Sequence, residues 1–157
     1  MNPTESWQPG ASAAPPSGPN GTSGSLEDPR VVRAMEEYQA GASATAAQGA
    51  IYSLPLQGIA RLYRQDNNDE KALESIQKAI QLEPKLASNY LLLGKIYVTA
   101  GDLAKGVAAL RQAVELDPAD AAPYHLLFRT YLKLKMAAEA KWAQGRFEEV
   151  KKAYGED

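Results

Sequence analysis

Along the C-terminal two-thirds of the chain, apolar residues recur at the spacing of a helix rather than of a strand. Leu56, Ile59, Ala60 and Tyr63 fall three or four residues apart and share one face of a 3.6-residue helix. The set returns 34 residues later as Tyr90, Leu93, Gly94 and Tyr97, and again as Tyr124, Leu127, Phe128 and Tyr131. A second stripe, Ala72, Leu73, Ile76, Ala79 and Ile80, is copied as Gly106, Val107, Leu110, Ala113 and Val114. Between the stripes stand turn formers, Asp66-Asn67-Asn68-Asp69 and Ala100-Gly101-Asp102, of which Asn and Gly tolerate the left-handed backbone that ends a helix. Pro84 and Pro118 close the second helix of each pair, and Ser53 with Pro55 opens the series as cap and first-turn proline. The pattern predicts helix pairs over about 53–86, 87–120 and 121–154. Small residues at matching places, Ala60 with Ala72 and Gly94 with Gly106, let the two helices of a pair approach closely. A longer side chain there costs roughly 1–3 kcal/mol.

The third copy departs from the other two. Phe128 stands where a small residue is expected, Lys135 replaces the turn Gly or Asn, and Gln144 and Phe147 interrupt the second stripe. Terminal repeats deviate because no neighbour packs on their outer face. The stripe Ala140, Ala143, Phe147, Val150 and Tyr154 still lies on one helical face, with Lys141, Gln144, Glu148 and Lys151 facing water. Upstream, Asp28-Pro29 is a cap and first-turn proline, followed by Val31, Val32, Met35 and Tyr38 at helical spacing. This predicts a further helix, ended by Gly41 and packed on the open face of the first pair, with the stretch to residue 52 as linker.

Composition changes the picture at the N-terminus. Residues 1–27 hold Pro3, Pro9, Pro15, Pro16 and Pro19 among Gly, Ser, Ala and Asn, too little apolar surface to offset ordering, so a disordered tail is expected. Cysteine is absent and His125 is the single histidine, so neither thiolate chemistry nor a histidine-based metal site is expected. No nucleophile with a plausible base and no glycine-rich phosphate loop occurs, which argues against an enzyme and against a cofactor. Without a membrane-length apolar run or a signal-peptide pattern, the expected setting is cytoplasmic. Residues 53–154 carry fifteen Lys and Arg against twelve Asp and Glu, a mildly basic repeat region behind an acidic N-terminal part.

These residues resemble the tetratricopeptide repeat family: large at repeat position 4, Leu at 7, small at 8, Tyr at 11, Ala at 20 and 27, Pro at 32. The resemblance implies an all-α, right-handed superhelical stack of antiparallel hairpins whose concave face is lined by the first helix of each pair. Position 9 of the family, a groove position, falls on Arg61, Lys95 and Arg129, and position 5 on Gln57, Leu91 and His125. Arg64 at position 12 and Lys133 at position 13 complete the expected peptide-binding groove. Such a cation column suits an extended acidic peptide, which makes a protein-binding adaptor the leading reading. The family's clamp for the C-terminal carboxylate of chaperones does not transfer, since its positions are Gln57, Arg61, Leu92, Ala122 and Leu126 here. The alternative is a self-associating structural module using its helix ends or Trp142. Single-stranded RNA is a third reading, opposed by a net charge of about +3 over the repeats and a groove without stacking aromatics.

Overall fold

The computed structural model describes residues 28–46 and 53–155. The expected disordered tail lies outside the described residues. Among those described, the chain forms helices only: α1 (Pro29–Ala46), α2 (Leu54–Gln65), α3 (Asp69–Leu82), α4 (Ala87–Ala100), α5 (Leu103–Leu116), α6 (Ala121–Lys133) and α7 (Ala137–Tyr154). The pairs α2–α3, α4–α5 and α6–α7 are antiparallel hairpins stacked in chain order, with α1 against α2. The first helices α2, α4 and α6 also touch in succession, forming one continuous side of the stack.

The hairpin turns share one construction, repeated every 34 residues. Asn67, Gly101 and Lys135 take the left-handed conformation, with φ of 56°, 88° and 58°. The next residue's N–H reaches back to a tyrosine carbonyl each time: Asn68 to Tyr63 at 2.8 Å, Asp102 to Tyr97 at 2.9 Å, and Met136 to Tyr131 at 2.9 Å. Asn68 and Asp102 then cap the following helix by accepting from the N–H of Lys71 and Lys105, both at 3.2 Å. Met136 has no oxygen with which to do so. The third turn therefore keeps the geometry without the residues that favour it, at Lys135 as well as Met136. Between hairpins, the Tyr90 hydroxyl donates to the Pro84 carbonyl at 2.9 Å and that of Tyr124 to the Pro118 carbonyl at 3.4 Å.

Two apolar clusters fill the stack. The first joins Val31 of α1 to Leu56, Ile59, Tyr63, Ile76 and Ile96, and the second joins Leu110 to Tyr124, Leu127, Tyr131 and Val150. Helix α1 is seated through Val31, which is fully buried, with Met35 and Tyr38 beside it. Arg30 lies 2.6 Å from Asp28 and 3.8 Å from Asp66, tying the start of α1 to the first hairpin turn. Gly41 does not end this helix, which runs on to Ala46. An interior glycine costs only about 1 kcal/mol relative to alanine, and no proline follows to block continuation. At the C-terminal end, Phe128 and Phe147 pack against the second cluster. Phe128 stands, half-buried, where a small residue was expected.

Candidate functional site

The first helices carry a charge pattern of their own. Helices α2, α4 and α6 contain Arg61, Arg64, Lys95, Arg129 and Lys133 and not one Asp or Glu. The carboxylates of the repeats sit on the second helices and in the turns, where three of them pair locally. Glu74 lies 2.6 Å from Lys78, Asp102 2.9 Å from Lys105, and Glu149 2.6 Å from Arg146. Among the described residues, no ion pair involves any of the five cations of the first helices.

Four of those five line one cavity of about 420 Å³ that spans the three first helices. Arg64 enters from α2, Lys95 from α4, and Arg129 and Lys133 from α6. Val98 and Leu126 give it an apolar floor, and Thr99 and Thr130 complete the lining. The threonine hydroxyls are already committed as donors, Thr99 to the Lys95 carbonyl at 2.8 Å and Thr130 to that of Leu126 at 2.7 Å. Donors available to a ligand here are therefore the charged ones. Lys95 is half-buried, and its pKa is held below the ordinary lysine value, first by desolvation and then by the nearby charges of Arg64 and Arg61; Asp120 opposes this. A like-charged, partly dry recess of this kind favours an incoming anion. By contrast, a second depression, beside α1, places Lys78 next to its partner Glu74 and has an apolar wall of Met35, Tyr38, Leu56 and Ile59.

The position-5 column does not belong to this recess. Gln57 is 2 % exposed, and its amide nitrogen donates to Ser88 Oγ at 2.9 Å and to Asn89 Oδ1 at 2.7 Å. Leu91, at the equivalent place one hairpin on, packs against the second apolar cluster. The His125 ring lies 5.3 Å from that of Phe147, at the open end of the stack. Gln57 thus reaches the next hairpin and Leu91 packs into the core, while His125 is exposed beside Phe147 of its own hairpin. Arg61 is exposed and lies beside the cavity, its guanidinium 3.4 Å from Gln57 Oε1.

The boundary between the first two hairpins contains a buried polar network that sequence reasoning missed. Asn89, fully buried, donates to the carbonyls of Ala79 at 3.2 Å and Glu83 at 3.1 Å, closing the end of α3. The Ser53 hydroxyl, instead of capping α2, is 3.4 Å from Asn89 Oδ1, and the Ser53 N–H donates to Glu83 Oε2 at 2.6 Å. The available signal was that Asn89 is a polar residue in the first turn of an otherwise apolar helix. Trp142 is 46 % exposed, its ring edge-on to Tyr124 at 6.0 Å. Among the described residues, no group of three or more His, Cys, Asp and Glu is placed to hold a metal ion, and no helix is long and apolar enough to cross a membrane.

Stacked hairpins with a continuous, basic inner side define a helical-repeat protein-interaction module. Residues 56–86 and 87–120 match the family model described as tetratricopeptide repeat. The third hairpin lies beyond the matched residues. No curated protein matches the sequence. Several solved structures share the fold. A crystal structure of MamA is 20 % identical, with a TM-score of 0.61, over 74 % of this chain and 68 % of that one. A second MamA structure is 19 % identical at 0.61, over 68 % and 60 %. MamA 41-end from Desulfovibrio magneticus RS-1 is 17 % identical at 0.63, over 80 % and 71 %. At these identities the likeness is one of fold.

Proposed function

We propose that this chain is a cytoplasmic, non-catalytic adaptor that holds an extended acidic peptide of a partner protein in the recess across α2, α4 and α6. The observation that carries this reading is the segregation of charge: five cations and no carboxylate on the three first helices, with four of the cations around one cavity. On the second helices Lys78, Lys105 and Arg146 are paired at helical spacing, whereas among the described residues no carboxylate pairs with a cation of the first helices, which leaves these open to a partner's anions. The decisive experiment titrates a labelled acidic peptide into wild type and into Lys95→Glu/Arg129→Glu. The wild type binds with an affinity that falls as salt rises, and the variant loses binding while keeping its helical signal. Equal binding by both proteins would remove the recess from consideration.

A second reading, self-association through the last hairpin, has its own observation. Leu132, Trp142 and Tyr154 are 53 %, 46 % and 73 % exposed. Sedimentation at micromolar concentration separates the two, since a strict monomer excludes self-association as the working state.

A further inference from the structure

We infer that the recess is matched to an acidic segment in polyproline II conformation, with a carboxylate at every third residue and apolar residues between. This rests on the acidic-peptide reading and adds its register. The cations come from three successive helices, Arg64 on α2, Lys95 on α4 and Arg129 on α6, which touch one another in that order. Packed helices lie about 8–10 Å apart, so a ligand crossing them meets a new cation about every 8–10 Å. A polyproline II chain rises about 3.1 Å per residue with three residues per turn, which returns a side chain to the same face every 9 Å or so. A strand repeats its face every two residues, about 6.6 Å, and falls out of step with the helices by the second cation.

The floor and the donors point the same way. Val98 on α4 and Leu126 on α6 line the same recess as the cations, where they meet the apolar residues that separate the carboxylates. Their neighbours Thr99 and Thr130 have given their hydroxyl protons to backbone carbonyls of their own helices. Arg64 and Lys133 sit in the last turns of α2 and α6, at the ends of those helices that carry carbonyls rather than free N–H groups. A compact phosphate is best held by convergent fixed donors such as backbone N–H groups and hydroxyls, and none is offered here. Long, separate cations suit separate carboxylates instead.

The test compares two labelled peptides of one composition by fluorescence anisotropy: three copies of Glu-Pro-Pro, and three Glu followed by six Pro. The six prolines in each hold most of the backbone in polyproline II, and circular dichroism of the free peptides checks that they differ chiefly in the spacing of charge. The spaced peptide is expected to bind about tenfold more tightly, because the blocked one reaches fewer cations at once. In Lys95→Glu/Arg129→Glu that preference disappears. Equal affinities of the two peptides for wild type would overturn the register while leaving an acidic-peptide groove in place. Failure of both to bind, at low salt and with a folded protein, would overturn the register and the proposed function together.

Discussion

Replacing Gly94 by alanine isolates the packing term at the centre of the second hairpin. A Cβ on Gly94 would stand 2.6 Å from Cγ and 2.7 Å from Cδ2 of Leu110, and 3.3 Å from the carbonyl oxygen of Gly106. Carbon atoms prefer about 3.5–4.0 Å, so α4 and α5 must part by about 1 Å or Leu110 must leave its place. Leu110 is fully buried within the second cluster, and movement there forces its neighbours off their rotamers. Overpacking of this kind costs about 1–3 kcal/mol. Against it stands the gain of about 1 kcal/mol from alanine over glycine in a helix. Gly58 in α2 and Gly145 in α7 supply the control, since a Cβ on either meets nothing within 4 Å. Gly58→Ala and Gly145→Ala should stabilise the fold by about 1 kcal/mol each. The propensity term is common to all three, so Gly94→Ala should fall about 1–3 kcal/mol below the other two. Urea unfolding followed by circular dichroism reads that difference in the midpoints at constant m. A Gly94→Ala protein as stable as Gly58→Ala would refute the close crossing of α4 and α5.

Asn89→Ala removes hydrogen bonds to Ser53, Gln57, Ala79 and Glu83; a loss of about 2–4 kcal/mol is expected in the same unfolding assay. Lys135→Gly relieves a non-glycine left-handed residue and should raise stability by about 1 kcal/mol. Met136→Asp gives α7 the cap that its two counterparts have and should add a similar amount, with Lys135→Gly/Met136→Asp close to additive by differential scanning calorimetry. Lys95→Met should raise the melting temperature while weakening acidic-peptide binding, because the charge of Lys95 is disfavoured in the folded state. The pH dependence follows in sign. Between the lowered folded value and the ordinary 10.5 the unfolded chain binds more protons, so wild-type stability gains from this group as pH rises through that window. Lys95→Met should lack that gain, which paired unfolding curves at neutral and alkaline pH would reveal.

The helical-hairpin stack was legible because its determinants are local and repeat every 34 residues. Tyr63, Tyr97 and Tyr131 supply the same turn carbonyl, and Pro84 and Pro118 the same stop. Gly41 misled because a glycine can sit inside a helix as well as end one, and the neighbouring sequence held no proline to decide. The site was legible at the level of which helices line the inner side, and less so at the level of individual positions. Position 5 shows why. Gln57 is buried across a hairpin boundary, Leu91 packs into the second cluster and His125 is exposed beside Phe147 of its own hairpin, differences set by their neighbours rather than by helical period. Gln57 in particular looks like surface in one dimension and is a buried hydrogen-bonding group in three, because its partners Ser88 and Asn89 lie across a hairpin boundary.

Charge carries the same lesson further. Summed over the repeats, fifteen cations against twelve carboxylates describe an almost neutral domain with no evident preference for a partner. Divided by helix, the carboxylates are confined to the second helices and the turns, and α2, α4 and α6 carry five cations and none of them. The two distributions have different physical consequences. Pairs such as Glu74–Lys78 and Glu149–Arg146 screen themselves within a turn of helix and contribute little beyond it. Arg64, Lys95, Arg129 and Lys133 have no such neighbour, so their fields add across the recess and are partly shielded from water by Val98 and Leu126. The depressed pKa of Lys95 arises first from its burial and then from the charges of Arg64 and Arg61. An anion seated beside Lys95 offsets the second of these as it binds. The substitution that stabilises the empty fold, Lys95→Met, is therefore also one that weakens the complex.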